Sequence, residues 1–272
     1  MAFGVDRASR LGRVGSVEAL RVASRLGPYF EWEPWDAEPG WLPLSALLDE
    51  RMVAARVETA RNTLVRMSGL DREAIEERAV ASITFLGLAS RLLSPLLGAA
   101  AAGQALPVPA ISRLWWRPVP GGPIPIAYRD LTSIPCAGEP SHVIADRLTE
   151  TATFGLVQPL LEVFRSRFAL SPHVLWGNVA SALGGAAGMI ADLTPEHAAR
   201  AAEIVEATLC RPPLRATADL IRPDPGRERW FLVRRNCCLY YRVPGGGTCG
   251  DCVLTPPEDR QRYWRSVLNR PT

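Results

Sequence analysis

Four of the chain's six cysteines fall within 16 residues, as Cys237-Cys238-Leu239-Tyr240-Tyr241-Arg242-Val243-Pro244-Gly245-Gly246-Gly247-Thr248-Cys249-Gly250-Asp251-Cys252. Thiols at this density are explained by metal ligation more readily than by packing. Cys249 and Cys252 form a C-x-x-C knuckle, which turns two thiolates toward one metal and serves zinc and iron-sulfur centres equally. Cys237 and Cys238 are adjacent, and adjacent side chains in extended backbone point to opposite faces. They meet at one centre only if the chain bends there, or if each binds a different atom of a larger group such as a two-iron cluster. Gly245, Gly246 and Gly247 tolerate positive φ, so the loop between the pairs can double back and aim backbone N–H groups at cluster sulfurs.

Three readings of the motif compete. A disulfide framework belongs to small secreted chains in an oxidising compartment. This chain has 272 residues, and Met1–Arg7 show no basic segment running into an apolar one. The expectation is therefore a cytoplasmic protein with reduced thiols. A four-cysteine structural zinc module remains open, although zinc motifs usually join two knuckles and a vicinal pair is a poor substitute for one. The third reading is an iron-sulfur cluster, in a redox enzyme or in a non-enzymatic sensor that reports redox state to a partner.

From Arg234-Arg235-Asn236 through the cysteine motif, the chain resembles the FhuF-like ferric siderophore reductases. Leu175-Trp176-Gly177-Asn178-Val179-Ala180-Ser181 looks like a second segment that recurs in that family. The resemblance runs from about the middle of the chain to its end and is specific only at the cysteines. It implies that Cys237, Cys238, Cys249 and Cys252 hold a [2Fe-2S] cluster. It also implies that the protein is an oxidoreductase that reduces ferric iron in a siderophore of hydroxamate type, releasing ferrous iron in the cytoplasm. No G-x-G-x-x-G after a strand and no P-loop is present, so the electrons are expected from a partner, a ferredoxin or an NAD(P)H-dependent reductase. Outer-sphere transfer of one electron needs no catalytic residue beyond the cluster.

Composition narrows the remaining chemistry. All 31 basic residues are arginines, which excludes a lysine nucleophile or Schiff base. A net charge of +3 does not argue for nucleic acid. Residues 211–242 nevertheless hold eight arginines against Asp219, Asp224 and Glu228, a local net of +5. A positive surface there would favour a reduced cluster and attract an anionic chelate or an acidic donor. Arg234, Arg235, Arg242, Tyr240 and Tyr241 flank the ligands and are the candidate docking residues. His142, His173 and His197 are scattered and read as structural or surface residues. Cys136 reads as a passive loop thiol.

The elements that must position this motif are mostly helical. The pattern predicts an α+β fold, predominantly α-helical, with a short antiparallel hairpin and a C-terminal four-cysteine loop. Residues 1–106 form an N-terminal helical region and 107–272 a reductase-like region containing the motif at 237–252, or the two make one continuous domain. Helices are expected from Ser16 (as cap) to Leu26, from Leu44 to Arg66, and from Asp71 (as cap) to Leu93, where Ser94-Pro95 interrupts. Further helices are expected over Ser141–Phe168 with a kink at Pro159, from Ser171-Pro172 to Ile190, from Thr194-Pro195 to Cys210, and after Pro256. A hairpin is expected within 107–131 and a strand over Arg229–Arg234. Gly184, Gly185 and Gly188 predict the close approach of another helix. Trp32, Trp35 and Trp41 read either as rings laid over a site or as pins holding an irregular segment to the core. Leu92–Ala110 and Phe168–Ala191 carry no charge, but Pro, Gly and polar residues interrupt both, which predicts buried helices and no transmembrane segment.

Overall fold

The computed structural model describes residues 15–270, so Met1–Arg7 lie outside the described residues. Helices dominate. They are α1 (residues 15–24), α2 (Glu50–Ser68), α3 (Glu77–Ala101), α4 (Ser141–Leu148), α5 (Gln158–Phe168), α6 (Pro172–Leu193), α7 (Ala198–Leu209) and α8 (Pro257–Leu268). The strands are β1 (Glu33–Pro34), β2 (Leu42–Pro43), β3 (Ala105–Val108), β4 (Leu114–Trp116), β5 (Ile126–Tyr128), β6 (Thr132–Pro135), β7 (Ala218–Ile221) and β8 (Phe231–Arg234). They form a four-stranded sheet in the order β1-β5-β4-β2 and two antiparallel pairs, β3-β6 and β7-β8. The fold is α+β and mainly helical, and the expected hairpin is β4-β5, with Leu114 opposite Tyr128.

The centre of the molecule is α3 against α6. From Leu92 to Ala101 every residue of α3 is buried, as befits a helix that is apolar all round. These two helices are long and apolar enough to cross a membrane, yet 72% and 67% of their most apolar windows are covered by the rest of the fold. One hydrophobic core runs from Leu20 to Leu232.

The interruption expected at Pro95 does not occur, because α3 continues through it to Ala101. A proline inside a helix leaves the carbonyl four residues earlier without its donor. Here that carbonyl belongs to Arg91, and the indole Nε1 of Trp32 donates to it (2.8 Å). The Arg91 side chain, 3% exposed, ties down the same region by donating to the carbonyls of Ile124 (2.7 Å), Glu31 (2.7 Å) and Pro28. Burial holds its pKa down to about 10. Trp35 stacks on Trp115 (4.5 Å) and Trp41 lies under Arg117, so the tryptophan segment pins itself to the sheet.

Other expectations shift for local reasons. The helix expected from Leu44 divides into a 3₁₀ segment (Leu44–Leu48) and α2, because Asp49 caps α2 by accepting from the amides of Arg51 and Met52. Gly69, left-handed at φ 67°, ends α2. Asp71 precedes only a 3₁₀ turn and makes no cap, and α3 starts six residues later. Ser16 lies inside α1, and its hydroxyl donates to Leu131 O (3.2 Å). The expected kink at Pro159 takes the form of a π-helical stretch, Thr149–Val157, just before it. The starts at Ser171-Pro172 and Thr194-Pro195 and the terminal helix after Pro256 are as expected.

The small-residue face of α6 receives a strand and its continuation, not a helix. A Cβ on Gly184 would lie 2.6 Å from Leu232 Cβ, and one on Gly177 would lie 1.9 Å from Asn236 Oδ1. These two glycines let β8 lie directly on α6 and carry the chain into the cysteine motif.

Candidate metal centre

β8 ends at Arg234, and its backbone amide donates to Asp251 O (3.0 Å), which brings the second cysteine pair back beside the first. Leu239, at φ +68°, turns the chain after Cys237-Cys238 into a 3₁₀ turn, Tyr240–Arg242. Gly245 and Gly247 also adopt positive φ, so the return loop is built as its glycines imply. The amides aimed at sulfur come from elsewhere, however. Leu239 N–H donates to Cys237 Sγ and Leu254 N–H to Cys252 Sγ, both at 3.3 Å, whereas Gly246 N–H goes to Val243 O.

Each half of the motif is anchored to a different helix. Ser82 of α3 donates its hydroxyl to Cys238 O (2.7 Å). Arg260 of α8 donates to Cys252 O (3.1 Å) and Thr255 O (3.0 Å). Trp264 of α8 stacks on Phe231 of β8, which ties the terminal helix to the strand that leads into the motif. Asn236 donates to His173 O (2.6 Å) at the start of α6.

Two of the sulfurs lie side by side. Cys238 Sγ and Cys249 Sγ are 3.4 Å apart. Two thiolates about 2.3 Å from one tetrahedral metal would lie about 3.8 Å apart, so this pair is already close to ligand geometry. A hydrogen bond from Cys249 brings the Cys238 thiol down to about 6, and the same bond, with burial, raises Cys249. Burial raises Cys237, whose sulfur also lies within electrostatic reach of Cys252. Among the described residues no three Cys, His, Asp or Glu side chains are grouped to hold one ion. Cys238 and Cys252 are buried while Cys237 and Cys249 are half-exposed, so one edge of the centre reaches the surface.

A buried arginine supplies the independent test of fit. Arg234 is 1% exposed, so the structure removes it from the docking surface. Its Nη2 donates to Asn178 Oδ1 (2.5 Å), but Nε and Nη1 are buried without a partner. No carboxylate pairs with it among the described residues, in contrast to Arg91, whose guanidinium is satisfied by three carbonyls. Asn178 in turn donates to Ser82 O (2.9 Å) and Ser82 Oγ (3.0 Å), which connects Arg234 through α6 and α3 to Cys238. The Arg234 charge acts on both Cys237 and Cys238. A cation buried with free donors calls for an anion beside it, and a [2Fe-2S] cluster held by thiolates of this motif would be that anion.

Sequence reasoning missed Ser82 and the contacts of Asn178. Gly177 and Asn178 stand in the segment that resembles the reductases, but only packing shows that they meet Asn236 and Arg234. The remaining candidates lie at the surface. Tyr241 is 46% exposed, Tyr240 is half-buried, and Arg235 and Arg242 are exposed but paired with Asp219 (2.6 Å) and Glu76 (3.0 Å). Arg211, Arg222 and Arg229 likewise pair with Asp146, Glu228 and Asp192; of these partners and those above, Asp146, Asp192 and Glu76 lie outside 211–242 and offset three of the local five charges.

The two remaining cysteines are separate from the centre. Burial pushes the Cys136 thiol up to about 11, whereas Cys210 is exposed. At pH 8 iodoacetamide is expected to alkylate Cys210 well before Cys136 in the native protein, by at least about tenfold. Peptide mapping of a time course checks this.

No curated protein matches the chain. A model of the FhuF 2Fe-2S C-terminal domain matches residues 234–254, a span that opens on the buried arginine and contains all four cysteines. Over these residues the chain is similar to a [2Fe-2S] domain, so the cofactor is a [2Fe-2S] cluster and the zinc reading gives way.

Proposed function

We propose that this protein is a siderophore-iron reductase of the cytoplasm. Ferric iron in a hydroxamate-type siderophore gains one electron, and the ferrous ion leaves because hard oxygen ligands hold it less tightly. When bound, the [2Fe-2S] cluster supplies one-electron storage. The electron originates in a reduced ferredoxin or an NAD(P)H-dependent reductase.

The observation that carries this reading is the four-cysteine centre, matched to the FhuF domain, with Cys237 and Cys249 at its half-exposed edge. Outer-sphere exchange needs a short path between centre and reactant, and that edge provides one. Cys238 and Cys252, on the buried side, are fixed through their carbonyls to α3 and α8. Rigid anchoring keeps the ligand positions the same in both oxidation states, which lowers the reorganisation needed for transfer. Tyr241 and the paired Arg235 and Arg242 form the adjoining surface for the chelate or the donor.

The test is a single turnover. Protein purified without oxygen is reduced with dithionite, freed of excess reductant and mixed with ferric trihydroxamate in the presence of a ferrous-specific chelator. One ferrous ion per reduced cluster is expected, with return of the oxidised absorption spectrum. A centre that reduces reversibly with dithionite yet keeps its electron for hours in the presence of ferric hydroxamates would sink the enzyme reading and leave a redox sensor.

A further inference from the structure

Away from the cysteines, a cavity of about 430 Å³ opens between α2, α3, the turn joining β4 to β5, and Phe164 of α5. That size is typical of small-molecule sites. Leu47, Val53, Leu64, Leu88, Ile124 and Phe164 make it largely apolar. No Asp or Glu lines it, and its polar side chains are all able to donate hydrogen bonds.

Arg56, a lining residue, donates Nη1 to Val119 O (3.2 Å) and has no carboxylate partner among the described residues. Burial lowers its pKa, so the site lacks the counter-charge that would stabilise this cation. Gly87 of α3 lines the same space, and a Cβ placed on it would meet nothing within 4 Å. The wall there is open where any other residue would begin to fill it.

A cation without a counter-charge in an otherwise apolar cavity selects an apolar ligand bearing a negative acceptor. We propose that this cavity binds a small apolar monocarboxylate, whose carboxylate pairs with Arg56 while its hydrocarbon part packs against the leucines and Phe164. This site is independent of the reductase reading and stands or falls without it.

The experiment is a calorimetric titration of the holoprotein with decanoate and with 1-naphthoate, using 1-decanol as the neutral control. Saturable binding of at least one acid at one site per chain is expected, with the alcohol at least about tenfold weaker than decanoate if decanoate is the acid that binds. Gly87→Leu, which fills the cavity from a helical position, is expected to abolish binding while leaving the cluster absorption and the melting temperature intact. Arg56→Met keeps most of the bulk and removes the charge, and at least about a tenfold loss of affinity is expected. Should Gly87→Leu fail to fold, Arg56→Met carries the test alone. The proposal is overturned if neither acid binds, if decanol binds as tightly as a decanoate that binds, or if a folded Gly87→Leu or Arg56→Met protein binds as tightly as the parent.

Discussion

Arg234→Met is expected to lower the midpoint potential of the [2Fe-2S] centre by on the order of 100 mV. The reduced cluster carries one more negative charge than the oxidised one, so a nearby fixed cation stabilises the reduced state selectively. A unit charge about 6 Å away at an effective dielectric of about 20 contributes roughly 2 to 3 kcal/mol. For one electron, where a tenfold change in equilibrium is about 59 mV, this is on the order of 100 mV. The side chain is 1% exposed and Nε and Nη1 have no other partner, so solvent screens it little. Spectroelectrochemical titration measures the shift. Arg234→Lys keeps the charge and should retain most of the potential.

A merely structural arginine would give a different pattern. Without the cluster's charge Arg234 would be a buried cation with no counter-charge among the described residues, and removing an uncompensated buried charge relieves its desolvation cost. Arg234→Met should therefore leave the cluster-free protein as stable as the parent or more so. A methionine variant with a potential within about 20 mV of the parent, a third of a decade, would show that the guanidinium does not act on the cluster.

The second large effect is expected from Gly177→Ala. Its new Cβ would sit 1.9 Å from Asn236 Oδ1 and 2.5 Å from Cγ, so Asn236 must move and release His173 O. Overpacking costs roughly 1 to 3 kcal/mol, and the lost hydrogen bond adds about 1 kcal/mol. Because Asn236 immediately precedes Cys237, the damage should also appear as iron lost from the purified protein, measured as iron per chain beside the denaturant midpoint. Gly185→Ala is the matched control on the same helix. Nothing lies within 4 Å of its Cβ, and alanine's helix propensity should stabilise it by up to about 1 kcal/mol. Removing the obstruction in the double variant Gly177→Ala/Asn236→Ala should recover much of the loss, a coupling that a double-mutant cycle reads directly. Equal behaviour of the two alanine variants would show that Asn236 is not braced against α6.

How much of this was legible in the sequence depends on the distance over which each feature is determined. The cysteine motif, the starts at Ser171-Pro172 and Thr194-Pro195, and the terminal helix after Pro256 are encoded within a few residues, and local reading found them. The continuity of α3 through Pro95 depends on Trp32, 59 residues before the carbonyl it satisfies, and no local pattern announces that. The break at Asp49 was within reach, since an Asp that can accept from the second and third amides beyond it is a capping signal. It was hidden by an apolar periodicity that runs straight across it.

At the site, the thiols could be named from spacing alone, but the arginines could not be sorted. Arg234 and Arg235 are neighbours of the same type. The strand sends one into the interior toward Asn178 and the other outward to Asp219, and only the register of β8 on α6 decides which is which. Ser82 gave no signal, as a lone serine in an apolar helix.

The ion pairs made by arginines of residues 211–242 also shape the field of that surface. Arg211, Arg222, Arg229, Arg235 and Arg242 each stand beside a carboxylate, so an approaching molecule encounters dipoles in place of bare charges. A dipole's field falls off faster with distance than a charge's, and at physiological ionic strength free charge is itself screened beyond about 8 Å. Under the proposed function these pairs are expected to add little long-range guidance to a chelate or a redox protein, and to contribute little to any salt dependence of its arrival.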